Sequence, residues 1–408
     1  MPIRKGLNPL SVAPNFEDYI LEMLTHSDYD EYWQQLDINW IEYYEQTADV
    51  PMLLVSGWYD SYAGGTVTNY LGLKDRLESP VQLVMGPWTH GRNTQAHAGH
   101  VAFGADAAIE DFYTDFHLRW FDRHLKEKVD ERNTDSVRVF VMGGGDGSKD
   151  ADGRLRHGGY WRTGAQWPLP DTDFTPYYLH ADGRLGPDEP SADAAASTYT
   201  FDPADPVPTI GGAFSSTSPV FEPGAYDQRE RADVWGAKAP FLPLRSRDDV
   251  LVFQTEPLTE DVEIVGPIVV RLFVSSSAVD TDFTVKLIDV HPPSEDFPTG
   301  FDMNLTDGIL RARYRQRPDE QIFMRPDDVY EIQLNPFPTA NRFRAGHRIR
   351  LDVSSSNYPR FDVNPNTGEP LGLSRRQIKA DNTVYHDAAR KSHIVLPIVP
   401  TKSSEEPL

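Results

Sequence analysis

The 408-residue chain carries 62 acidic and 39 basic residues, a formal net charge of −23, and no cysteine. Such a charge repels polyanions and leaves no basic stripe for nucleic acid or anionic lipid, while the lack of thiols excludes a disulfide framework, a thiol nucleophile and a thiolate metal site. No apolar run approaches the roughly 20 residues of a bilayer span, and the N-terminus MPIRKGLNPLSVAPNF has no apolar signal-peptide core, so a chain without membrane contact, cytoplasmic by default, is expected.

The length exceeds what one hydrophobic core organises, so two or more domains are expected. Residues 14–47 are rich in aromatics and acids, with apolar positions near helical spacing at Tyr19, Leu21, Met23 and Leu24, then Tyr32 and Trp33. Short helices follow from that spacing. Pro51 opens a strand over Met52 to Ser56, GTVTNYLGLKDRL reads as a helix, and a second strand, Val81 to Met85, leads into a loop at His90. The stretch AIEDFYTDFHLRWFDRHLK is a long helix with Phe112, Phe116, Trp120 and Leu125 along one face. Strand, helix, strand, helix is the order of a parallel α/β unit. After about residue 135 the runs SVRVFVMG, TPYYLHA, DVLVFQT, EIVGPIVVRLFVSS, TDFTVKLIDV, VYEIQL, HRIRLDVSSS and HIVLPIV are short, β-type and separated by Gly, Pro, Asp and Asn. That texture predicts an antiparallel sandwich or jelly roll. Boundaries are expected near 48 and 133, leaving two recognisable parallel strands between them and a disordered tail, TKSSEEPL.

Two stretches share a layout. LLVSGWYDSYAGG and VQLVMGPWTHG each run from an apolar strand through a Gly turn with a Trp to one ionisable residue, Asp60 in the first and His90 in the second. In α/β-hydrolase sheets the triad acid and histidine occupy loops after late strands, in that chain order. A carboxylate accepting from one imidazole nitrogen fixes the tautomer and supports the imidazolium formed when the histidine takes a nucleophile's proton. Taken alone each residue reads more readily as structural, Asp60 as a turn or helix-capping residue and His90 as a loop residue, and only the two together bring the catalytic reading level with the structural one. Trp58, Tyr62 and Trp88 flank the pair and either pack the core or line an apolar acyl pocket. No serine fits the Gly-x-Ser-x-Gly elbow that should precede Asp60: Ser11, Ser27, Ser56 and Ser61 all have the wrong neighbours.

Other motifs read as structural. MGGGDGSKD lacks a phosphate-loop pattern and a following helix, and His97 and His100 lack a carboxylate at helical motif spacing, so neither a metal nor a cofactor is expected. DTDF and NPNTG read as turn residues between strands, with a bound cation as the other reading.

The motifs GWYDSYAGG, GPWTHG, DTDFTVKLIDV, LTDGILRARYR, GHRIRLDVSSSNYPRFDVNPNTG and VYHDAARKSHIVLPI resemble the cocaine esterase and X-Pro dipeptidyl-peptidase (CocE/NonD) family of serine hydrolases, in order and over nearly the whole chain. The resemblance implies residues 1–48 as the end of a helical cap, 49–133 as the C-terminal part of an α/β-hydrolase domain, and 134–408 as a galactose-binding-like jelly roll. It places Asp60 and His90 at the acid and base positions and puts the nucleophilic serine and oxyanion hole upstream of this chain. The implied activity is hydrolysis of a small-molecule ester or amide through an acyl-enzyme, with X-Pro dipeptidyl-peptidase activity as one alternative and a catalytically inactive remnant or jelly-roll binding module as another. A separate N-terminal hydrolase fragment, or further copies of the chain, are the partners to expect; nucleic acid and membrane are not.

Overall fold

Proline and glycine punctuate the start of the chain. Pro14 opens α1 (Pro14–Met23) in the first turn, where its missing N–H costs nothing, and short 3₁₀ helices Pro9–Val12 and Ile41–Gln46 flank it. The computed structural model describes residues 4–128, 135–216 and 221–401. Beyond Pro51, an apolar run with branched side chains forms β1 (Met52–Tyr59), α2 (Ala63–Leu73) crosses back, and β2 (Val81–Thr89) lies parallel to β1 in the register Met52↔Val81 to Gly57↔Gly86. Ala63, Val67, Tyr70 and Leu73, spaced by helical turns, bury the inner face of α2. β2 is buried from Val81 to Trp88, as a strand covered on both faces must be.

The two glycines at the strand ends are required by close approach. A Cβ on Gly57 would lie 2.2 Å from the Trp88 carbonyl oxygen, and one on Gly86 would lie 2.5 Å from the Trp88 ring. Past Gly57 the register shifts before Tyr59 pairs with Thr89, a bulge that re-aims the chain just before Asp60. Because the obstacle at Gly57 is backbone, we expect Gly57→Ala to cost about 1–3 kcal/mol, read as a lower urea midpoint at unchanged slope. An unchanged midpoint would contradict this packing.

A third parallel strand, Val137–Met142, joins β2 in the register Leu83↔Val137 to Met85↔Val139. Its sequence is a plain β-type run that carries no mark of parallel pairing. On its other side it pairs antiparallel with Gly159–Gly164, and Met142 meets Asn341, so one sheet runs from β1 into the β-rich half. Between these strands, α3 (His117–Lys126) follows a wider π-helical turn, Phe112–Phe116. That turn advances the helical phase: Phe112 and Phe116 are buried, whereas Leu125, expected on the same face, is exposed.

The sandwich sets this long sheet against a four-stranded antiparallel one ordered Leu251–Gln254, Arg348–Ser354, Asp282–His291, Phe301–Arg311. Alternate residues of both sheets, such as Val270, Leu272 and Val274 with Val285, Leu287, Leu351 and Val353, belong to one continuous core that also takes in β1 and β2. The architecture is therefore a parallel α/β unit of the α/β-hydrolase kind, continuous with a jelly-roll β-sandwich. The two parts are fastened directly beneath the site, where the Tyr59 hydroxyl donates to the Asn304 carbonyl at 2.9 Å. No helix among the described residues is long and apolar enough to cross a membrane.

Candidate active site

Asp60 ends β1 in a turn closed by its own side chain. Oδ1 accepts from the Tyr62 N–H at 2.9 Å, an Asx turn, and Oδ2 faces His90 Nδ1 at 3.2 Å. The structural and functional readings of this aspartate therefore coexist, one on each oxygen. His90 follows β2, so the parallel register of β1 and β2 brings together residues 30 apart in sequence. The Asp60 side chain is 10% exposed and that of His90 56%, an arrangement in which a shielded carboxylate orients an accessible imidazole. Tyr62, itself exposed, packs its ring 5.2 Å from that of His90. Among the described residues, no hydroxyl is hydrogen-bonded to the other ring nitrogen, Nε2.

The flanking tryptophans lie elsewhere. Trp58 is buried against Trp167 and its indole N–H donates to the Phe140 carbonyl at 2.8 Å. Trp88 is buried against Trp161 and donates to the Ala107 carbonyl, also at 2.8 Å. Their polar handles are spent on backbone, so of the three aromatics named from sequence, Tyr62 alone stands at the open face beside His90.

That face opens on a cleft of about 890 Å³ lined by His90, Arg92, His97, His100, Arg154 and Glu222, among others. His97 and His100 are thus walls of the cleft. Burial, and then the neighbouring arginines Arg154 for His97 and Arg231 for His100, hold both imidazoles below their ordinary range. Sequence reasoning missed Arg154 and Glu222, which arrive from distant loops, and Ser215, whose hydroxyl meets that of Ser61 at 2.6 Å across 154 residues. No local motif signals such contacts.

The acids of DTDF are occupied by arginines. Arg313 Nε donates to Asp280 at 2.8 Å and Arg311 Nε to Asp282 at 2.9 Å, while the Asn364 amide from NPNTG donates to both carboxylates. These buried ion pairs answer the cation reading: the oxygens are already saturated by donors.

Residues 6–92 match the family model for X-Pro dipeptidyl-peptidase (S15 family), and residues 130–395 match that for the X-Pro dipeptidyl-peptidase C-terminal non-catalytic domain. The chain belongs to the cocaine esterase and X-Pro dipeptidyl-peptidase family. Within it, the chain is 37% identical over 395 residues to cocaine esterase of Rhodococcus sp. (strain MB1 Bresler), covering 93% of this chain and 61% of that one. The solved aminopeptidase from a marine sediment archaeon, Thaumarchaeota archaeon, superimposes with a TM-score of 0.76 at 27% identity, over 96% of this chain and 61% of that one. An α-amino acid ester hydrolase does so with a TM-score of 0.75 at 26% identity, over 95% and 62%. The chain thus spans 61–62% of the length of these three similar proteins.

Proposed function

We propose that this chain supplies the acid and the base of a serine hydrolase that cleaves ester or amide bonds, with the nucleophile on polypeptide outside these 408 residues. The observation that carries the reading is the 3.2 Å approach of shielded Asp60 Oδ2 to Nδ1 of an accessible His90 at the rim of a large cleft. Asp60 holds the Nδ1–H tautomer, so the Nε2 lone pair is presented to a serine hydroxyl. As that hydroxyl attacks the acyl carbon, His90 takes its proton, the Asp60 carboxylate stabilises the imidazolium, and the proton is returned to the leaving group as the acyl-enzyme forms. Water then repeats the sequence to release the acid.

On this reading residues 1–48 are the end of a cap, 49–133 the end of the hydrolase domain and 134–408 the sandwich. The partner is a polypeptide bearing the remaining hydrolase strands. Among the described residues β1 pairs on one side only, which leaves an edge for such a strand.

Co-expressed with a polypeptide encoded upstream that carries Gly-x-Ser-x-Gly, the chain is expected to hydrolyse p-nitrophenyl acetate, with a fluorophosphonate labelling that polypeptide's serine. Alone, it should turn the ester over no faster than the Asp60→Ala, His90→Ala double variant. Labelling of a serine within this chain, or turnover by the chain alone that His90→Ala abolishes, would refute the reading. The absence of any such upstream coding sequence would favour the sandwich as a non-catalytic binding module.

A further inference from the structure

At one end of the sandwich, outside the cleft lined by His90, five polar side chains from four segments meet in the core. His157 precedes the strand Gly159–Gly164, Asp289 and His291 end Asp282–His291, Asn341 lies in Thr339–Phe343, and His347 precedes Arg348–Ser354. All five are buried, with exposures between 0% and 8%. Nothing in the proposed hydrolysis uses them.

Their hydrogen bonds fix where the lone pairs point. Asp289 accepts on both oxygens, from His347 Nδ1 at 2.8 Å and from the Asn341 amide nitrogen at 3.0 Å. The Asn341 amide oxygen must then be the atom 2.8 Å from His157 Nε2, so His157 is protonated at Nε2 and its Nδ1 carries a lone pair. That lone pair faces His291 Nε2 at 3.2 Å, and His291 Nε2 lies 3.9 Å from Asp289 Oδ2. One ligand atom from each of His157, Asp289 and His291 lies within 4.8 Å of the other two. Metal–nitrogen and metal–oxygen bonds of about 2.0–2.2 Å place tetrahedral ligands roughly 3.4 Å apart, so a small inward shift closes the set.

We propose that His157 Nδ1, His291 Nε2 and Asp289 bind one divalent first-row transition cation, with Asn341 and His347 as its outer partners. Two imidazoles and one carboxylate suit Zn²⁺ and its neighbours in the series and not the all-oxygen preference of Ca²⁺ or Mg²⁺. The second contacts are those a metal-ligating histidine and carboxylate require: Nε2–H of His157 to a side-chain carbonyl, and the carboxylate held by two donors. Coordination at His291 Nε2 moves its proton to Nδ1, which lies beside Gly147 in the wall of a cavity of about 210 Å³ that can hold water. The same cavity, with His291 and His347 in its wall, gives the ion a way in and leaves a coordination position for water. The cation staples the His157 segment to the four-stranded sheet.

The test is titration of the chelator-stripped protein with Zn²⁺ by calorimetry and with Co²⁺ by visible absorption, neither of which depends on ester hydrolysis. One equivalent of Zn²⁺ with a raised melting temperature, and Co²⁺ d–d bands, are expected. His291→Gln should abolish uptake. Should that variant not fold, His347→Gln, which removes only an outer partner, should weaken binding about 10- to 100-fold. The His97→Ala, His100→Ala pair, in the other cleft, should leave stoichiometry and affinity unchanged. Failure of the wild-type protein to take up either ion saturably, affinity unaltered in His347→Gln, or an equivalent lost in the His97, His100 pair would overturn the proposal.

Discussion

In an enzyme reassembled from this chain and its nucleophile-bearing segment, His90→Ala lowers kcat for p-nitrophenyl acetate by about 10⁶-fold and Asp60→Asn by about 10⁴-fold. The ordering follows from the two oxygens of Asp60. Asparagine keeps an acceptor for the Tyr62 N–H, so the turn after β1 survives. Toward His90 Nδ1 it loses the charge that stabilises the imidazolium and can present an N–H that selects the wrong tautomer. Asp60→Ala removes the turn contact as well, so it should also lower the thermal midpoint, whereas Asp60→Asn should not. A loss of 10⁴ corresponds to about 5 kcal/mol of transition-state stabilisation, far beyond what a surface contact supplies. A fall of less than tenfold in either variant, measured by steady-state kinetics at constant protein stability, would remove Asp60 and His90 from the chemistry.

How much of this was legible beforehand depended on whether a feature is local. The fold class was legible because a parallel α/β unit and a string of short β runs are patterns within windows of ten or so residues. Asp60 and His90 could be nominated because each sits one step past an apolar run, and β1 and β2 are neighbours both in sequence and in the sheet. The rest depended on pairings that no window contains. Val137–Met142 looks the same whether its neighbour is parallel or antiparallel, and it turns out to have one of each. Trp58 and Trp88 are near the acid and the base in sequence, but strand alternation and the bulge turn their indoles inward to backbone carbonyls. Asp280 and Asp282 offered oxygens that a cation could have used until Arg311 and Arg313, some 30 residues on, claimed them. The cluster of His157 and His291, 134 residues apart, has no local signature.

The same reassembled enzyme is expected to prefer neutral acyl esters to α-amino esters by tenfold or more in kcat/KM, about 1.4 kcal/mol in the transition state. An α-ammonium brought out of water needs a paired carboxylate. The residues that follow Asp60 are Ser61, Tyr62, Ala63 and Gly64, none of them charged. Among the described residues that line the cleft, Glu222 is the one carboxylate beside Arg92 and an Arg154 paired with Asp152, and Glu222 already accepts from the Tyr226 hydroxyl at 3.2 Å. A cationic substrate therefore finds no unengaged carboxylate among these lining residues, while a neutral acyl group can lie against the exposed ring of Tyr62 beside His90. Methyl phenylacetate against the methyl ester of phenylglycine isolates the effect, because the two differ at the α-carbon by the ammonium alone. The Glu222→Gln variant should change their ratio by less than threefold if Glu222 is not an ammonium anchor. A tenfold preference for the amino ester, lost in Glu222→Gln, would instead make Glu222 that anchor and move the chain toward the aminopeptidase side of its family.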